Sequence, residues 1–261
     1  MTNQSKKFHS LTIGSKNTWD DWHLVPTSRP VVSPPSVKTK TIDIPGGDGI
    51  IDLTESLTGY PVYNNRTFLQ EFVVLNDFCE LVDTHEEWYS RYSDIMDYIH
   101  GQRMQLLLDD DEEYYYEGRF SVNSWKSDKN YSHITIESSL GPYKWARRIT
   151  TDSNWVWDTF NFETGIIFSS IFKDISVNTV TKTVQLSSRL IGRAPVCPTF
   201  VVTNAANGIQ VREGSSGSWT TLQNGSHQIS SIVFHGQATQ LQFKTSSGTG
   251  TVSVEFRQGR L

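Results

Sequence analysis

Thr199-Phe200-Val201-Val202-Thr203-Asn204-Ala205-Ala206-Asn207-Gly208-Ile209-Gln210-Val211-Arg212-Glu213-Gly214-Ser215-Ser216-Gly217-Ser218-Trp219-Thr220-Thr221-Leu222 alternates apolar, β-branched runs with turn formers. Thr199–Val202, Ile209–Val211 and Trp219–Leu222 read as short strands. The clusters at 204–208 and 213–217, rich in Asn, Gly and Ser, read as the turns between them. The same grammar extends both ways. Ile166–Ile171 and Thr179–Leu186 precede the stretch, and Ile229–Phe234, Thr239–Phe243 and Thr251–Phe256 follow it. Short strands spaced roughly 8–12 residues apart predict a β-sandwich. No helix signal is present beyond Trp145. Thr245–Gly250 is a turn.

Moving towards the N-terminus, Gly141-Pro142-Tyr143-Lys144-Trp145 breaks the strand run. It places a domain boundary between 1–145 and 146–261. The N-terminal half is also rich in strands, at Phe68–Leu75, Arg103–Leu108, Tyr114–Val122 and Tyr131–Leu140. One helix interrupts them. Thr84 with Glu87 forms a capping box, and Trp88, Tyr92, Ile95, Met96 and Ile99 recur at helical spacing. Gly101 ends the helix. The fold class is therefore mainly β, α+β in the N-terminal half. It comprises an N-terminal β-sandwich or barrel-like domain with one helix and a C-terminal β-sandwich. Farther upstream Val37–Ile44 reads as a strand ending at Pro45, and Gly46-Gly47-Asp48-Gly49 as a hairpin turn. A phosphate loop would need Lys and Ser or Thr after the glycines, and Ile50-Ile51 stand there instead.

Composition narrows the function. With 36% hydrophobic and 20% charged residues, the chain can build a core and is not disordered. Its net charge of −5 argues against a protein that coats nucleic acid. No window is long and apolar enough to predict membrane insertion, and the polar start lacks the apolar run of a secretory leader. Cys79 and Cys197 are distant in sequence and read as reduced, buried thiols of a protein folded in cytoplasm.

The residues of reactive type do not form a recognisable site. No two of the seven histidines have helical metal-pair spacing. Asp109–Glu113 lacks the alternation and glycine of a calcium loop, and reads as a solvated hairpin tip. Asp20-Asp21 and Glu86-Glu87 show no sign of facing another carboxylate. No catalytic residue, cofactor or metal is expected. Trp155 and Trp157 alternate on one strand face. With Trp219 they are candidates for stacking on sugar rings, or for packing in a core.

A longer run of motifs is more specific. Trp19-Asp20-Asp21-Trp22-His23-Leu24-Val25-Pro26-Thr27-Ser28-Arg29-Pro30 leads to Ile42-Asp43-Ile44-Pro45-Gly46-Gly47-Asp48-Gly49 and Leu57-Thr58-Gly59-Tyr60-Pro61-Val62-Tyr63. Tyr98-Ile99-His100-Gly101, Tyr115-Tyr116-Glu117-Gly118-Arg119-Phe120 and Trp125-Lys126-Ser127-Asp128 follow. Together they resemble the distal tail (Dit) proteins of long-tailed, non-contractile phages, densely over residues 10–145. The resemblance implies a structural, non-enzymatic subunit of the virion, made in the host cytoplasm and placed at the distal end of the tail. It implies a homo-hexameric ring closed by the N-terminal domain, and a galectin-like C-terminal sandwich. The ring would join the tail tube protein to the tail-associated tip protein and support host adsorption; in some phages it also carries receptor-binding proteins. The competing readings are a carbohydrate-binding host-recognition module and, behind it, a cell-wall hydrolase.

Two physical features agree with assembly. An extended, Pro-rich N-terminal region with few long apolar runs buries itself poorly and is suited to a neighbouring subunit. Within it, Trp19, Asp20, Asp21, Trp22, Pro26, Arg29 and Pro30 combine residue types that dominate interfaces with prolines that reduce the entropy lost on docking. This segment reads as extended. Trp22→Ala or Arg29→Ala is expected to leave a folded protein that forms no ring.

Overall fold

The computed structural model describes residues 9–76, 80, 85–126, 132–152, 160–161, 166–167 and 171–261. The chain divides into two compact units, 1–144 with Leu261, and 145–260.

In the first unit, the short strands β1 (Leu11–Ile13), β2 (Lys16–Asn17) and β3 (Leu24–Pro26) come first, followed by the pair β4 (Thr41–Asp43) and β5 (Ile50–Asp52). The long strand β6 (Arg66–Val74) leads to helix α1 (His85–Ile99), and then to β7 (Arg103–Leu108), β8 (Tyr114–Lys126) and β9 (Ser132–Leu140). One curled sheet runs β2-β1-β7-β8-β9-β6-β3, and each of these neighbours pairs antiparallel. The apolar alternation of β6 and β9 sets which way they face. Phe68, Phe72 and Val74 of β6 and Ile134, Ile136 and Leu140 of β9 are buried, while the residues between them are mostly less so. Helix α1 turns Trp88, Ile95 and Ile99 into the same core. It ends as its sequence predicts, with Gly101 at φ 75°, a left-handed value that glycine reaches without strain.

Gly118 is required for close approach. It pairs with Leu140 in the centre of the sheet. An added Cβ would lie 2.4 Å from the Ser139 carbonyl oxygen and 2.9 Å from Leu140 Cα. Both obstacles are backbone, so the strands must separate. Gly118→Ala is expected to destabilise the protein by about 1–3 kcal/mol, as overpacking typically does. Chemical denaturation checks this.

In the second stretch, β10 (Lys144–Ala146) is followed by the short pair β11 (Phe160–Asn161) and β12 (Ile166–Ile167). Then come β13 (Ile175–Val177), β14 (Lys182–Leu186), the single helical turn α2 (Ser188–Ile191) and β15 (Thr199–Thr203). The remaining strands are β16 (Ile209–Glu213), β17 (Thr220–Leu222), β18 (Gly225–Gln228), β19 (Thr239–Lys244), β20 (Gly250–Glu255) and β21 (Gly259–Arg260). Two four-stranded antiparallel sheets, β13-β20-β15-β18 and β14-β19-β16-β17, form a sandwich. Phe200, Val202, Val252 and Val254 of one sheet share a core with Val211, Leu241 and Phe243 of the other. The Phe200 and Phe243 rings meet edge to face at 6.3 Å. The expected mainly-β class holds in both units.

Three local expectations are corrected. Ile229–Phe234 is not a strand. The strand paired with β15 is the polar run Gly225–Gln228, because hydrogen-bond register places it there. Ser230-Ser231 then turn, with Ile232 N donating to Ile229 O, and Ile232 and Phe234 insert into the core from irregular backbone. The helical turn at Ser188–Ile191 had no sequence signal, being too short for periodicity. The strand expected to begin at Thr179 begins at Lys182, after a turn in which Val180 N donates to Asn178 Oδ1. Cys197 is a free, half-buried thiol, and Cys79 lies outside the described residues.

Candidate assembly surface

Between β3 and β6 the chain leaves the first unit's sheet and returns. Val32 bridges Phe68, and Ser33 N donates to Thr67 O. Farther out Lys38 N donates to Val62 O and Val37 bridges Tyr63. Leu53 N donates to Lys40 O, and β4 pairs with β5. The turn between those strands contains Gly46 and Gly49, both at positive φ. Arg66, only 6% exposed, braces the base of this arm; its Nε donates to Pro142 O and its Nη1 to Ser33 O.

From Ser36 to Gly59 every residue except Leu53 and Thr54 is exposed. The exposed residues are nevertheless apolar. Ile42 is 47% exposed, Ile50 59%, Ile51 49% and Leu57 97%. Ile42 faces Ile51 across the hairpin, and Ile50 faces Asp43. Apolar side chains thus lie on both faces, and a two-stranded hairpin wet on both faces is marginal alone. Val31, Val37 and Leu69, at 68%, 40% and 54% exposed, extend the apolar surface towards the base. A grouping of this kind marks an interaction surface.

The structure distributes the segment Trp19 to Pro30 differently from its sequence reading. It is not extended throughout. Asp21 N donates to Asn17 O and His23 N to Trp19 O, forming a helical turn. Asn17 Oδ1 starts this turn by accepting from Trp19 N and Asp20 N. Asp20 and Asp21 are exposed, and Asp21 Oδ2 accepts from Asn17 N at 2.6 Å. Trp22 is 5% exposed and meets Tyr98 edge to face at 5.5 Å. Trp19 is half-buried against His23. Pro26 lies in β3 opposite Phe72, and Pro30 is buried. Arg29 remains on the surface, its Nε 3.0 Å from Asp110 Oδ2. The arm isoleucines and Leu57 were not singled out from sequence. The available signal was apolar residues on both sides of Pro45–Gly49, with no third strand to cover them.

Asp110 and Asp109 are neighbours at the tip between β7 and β8 and titrate in opposite directions. Slight burial tends to raise the Asp110 carboxyl, but hydrogen bonds from His9 and Arg29 and their charges outweigh it and hold the group below the usual range. Burial raises the Asp109 carboxyl, against a hydrogen bond from Ser10 and with help from Glu112, Asp20 and Asp110. A depressed carboxylate stabilises the fold above its unfolded pKa, and that contribution is lost as pH falls through the lower folded value. A raised carboxylate weakens the fold as pH rises through its own range. Asp110→Asn is therefore expected to flatten the fall in melting temperature below about pH 4, and Asp109→Asn to raise the melting temperature above it. Thermal melts across this range check both signs.

Trp219 lies half-buried over the second sandwich sheet. Arg212 Cζ and Lys244 Nζ are 4.5 and 4.4 Å from its ring centroid. Trp155 and Trp157 lie outside the described residues. Among the described residues no group of His, Cys, Asp and Glu could hold a metal, and no helix is long and apolar enough to cross a membrane.

Curled sheet with helix and arm, followed by a sandwich of two four-stranded sheets, is a fold with a counterpart among solved structures. The crystal structure of SPP1 Dit (gp 19.1), described as a paradigm of the hub adsorption apparatus in phages infecting Gram-positive bacteria, aligns with a TM-score of 0.62. The alignment covers 98% of this chain and 100% of that one at 14% sequence identity, so the likeness is one of fold. No family model matches the sequence, and no curated protein matches it.

Proposed function

We propose that this protein is a phage distal tail hub: a structural, non-enzymatic subunit that assembles with copies of itself and with other tail components. The observation that carries this reading is the correspondence of fold along nearly the whole of both chains with SPP1 Dit. The motif run over residues 10–145 supports it independently. In this reading domain 1–145 closes a six-membered ring and domain 146–261 is the galectin-like sandwich. The ring joins the tail tube protein to the tail-associated tip protein, supports host adsorption and offers receptor-binding proteins an attachment point. The apolar arm supplies the contact between copies, replacing solvent with a neighbour's surface. Of the Trp19–Pro30 segment, Asp20, Asp21, Thr27, Ser28 and Arg29 are exposed enough to meet a neighbour directly. A head-to-tail contact repeated around a ring buries every arm and leaves none unpaired.

Native mass spectrometry of the purified chain, alone and with its tail-tip partners, tests this. The expected result is a six-copy species, alone or on adding partners. A strict monomer at every concentration and with every partner would contradict it.

A further inference from the structure

The outward face of sheet β14-β19-β16-β17 has a character of its own. Core-facing residues Leu186, Leu241, Phe243, Ile209 and Val211 alternate with residues that must point the other way. Those outward residues are amides and cations, with Thr183 and Thr221 on the same face. Gln185 Nε2 donates to Gln240 Oε1 at 3.0 Å. Arg212 and Gln242 are cross-strand partners, with Arg212 Nε donating to Gln242 Oε1 at 2.8 Å. Lys244 is opposite Gln210.

We propose that this face binds an anionic saccharide, with Trp219 as the stacking surface and Arg212 and Lys244 as partners of the sugar's negative group. Three observations converge. Arg212 and Lys244 both lie within 4.5 Å of one indole centroid, although the chain as a whole carries a net charge of −5. Each cation is attracted to the indole face, but neither has an ion pair among the described residues, so the two together leave a local positive charge that an anion would neutralise. The Gln242 amide takes the Arg212 Nε–H, which orients the guanidinium and leaves its two terminal nitrogens as a fork for a carboxylate or phosphate. The surrounding groups are neutral amides, which both donate to and accept from hydroxyls. Two cations are too few to track a nucleic-acid backbone, which needs a continuous basic groove. A ring of hydroxyls with one anionic substituent matches the inventory better.

The test is titration calorimetry on the full-length protein with four probes: tetragalacturonate, glucose 6-phosphate, neutral maltotetraose and a ten-residue oligothymidylate. The expected result is binding of the carboxylated or the phosphorylated sugar, weakened by added salt, and whichever binds identifies the anionic group. Arg212→Gln and Lys244→Gln should each weaken that binding about tenfold, as loss of a charge-assisted hydrogen bond does, with the melting temperature unchanged. Trp219→Phe should retain part of the binding and Trp219→Ala lose it. If Trp219→Ala does not fold, the two glutamine variants still decide. Failure of both acidic probes to bind, equal binding of maltotetraose, tighter binding of oligothymidylate, or unchanged affinity in the glutamine variants would each overturn the proposal.

Discussion

Ile42→Ser combined with Ile51→Ser is expected to leave a folded protein that no longer self-assembles. The two side chains face each other across β4 and β5, about half exposed and away from both cores. Little stability is at stake when they are removed from the isolated chain, so the melting temperature should hold. In an assembly each would lose its remaining exposed surface. Full burial of an isoleucine contributes about 1.5–3 kcal/mol, so half of one contributes about 1 kcal/mol. Two such losses weaken each contact roughly 30-fold at 1.4 kcal/mol per decade. A ring that closes through one repeated contact compounds that loss. Light scattering across a concentration series gives the answer. If the double variant assembles like the parent, the arm is not the contact.

Trp22→Ala is expected to act on the fold itself. Large-to-small truncation of a buried tryptophan costs about 3–5 kcal/mol, a sizeable share of the roughly 5–15 kcal/mol by which domains are stable. Trp22 contacts Tyr98, with Lys16 Nζ 5.5 Å from its centroid, and is part of the core that includes Trp88 and Phe72. Urea denaturation should show a large fall in midpoint for Trp22→Ala and a much smaller one for Trp19→Ala, since Trp19 is only half-buried. A folded, fully stable Trp22→Ala that fails to assemble would restore an interface role for Trp22. Arg29→Ala is the cleaner probe of assembly in this segment. Its exposed pair with Asp110 adds at most about 1 kcal/mol to stability.

What the sequence revealed follows from which signals are local. Helix α1 was legible because five apolar residues and a terminal glycine all repeat within one element. Strands β6, β7, β8 and β9 were legible because their apolar alternation is long. The turn at Gly46–Gly49 needed only three glycines and a proline. Ile229–Phe234 misled because apolar content marks burial, while a strand is made by pairing, and here the polar Gly225–Gln228 holds the register. Trp22 reads in the sequence as an interface residue, because its burial depends on Tyr98, many residues away, which packs against it in the fold. The exposure of the arm was hidden because Ile42 and Ile51 look like any core strand residue. Only the fold shows that, among the described residues, no further strand or helix covers them. The Trp219 cluster was half-visible, since the tryptophan stood out while Arg212 and Lys244 reach it from two different strands.

The proposed hub is tested most directly by electron cryomicroscopy of phage virions that contain this chain, focused on the distal end of the tail. The account expects six copies in a ring where the tube ends, each with its β4–β5 arm against the next copy. A tail end built without this chain, or copies whose arms point into solvent, would contradict it.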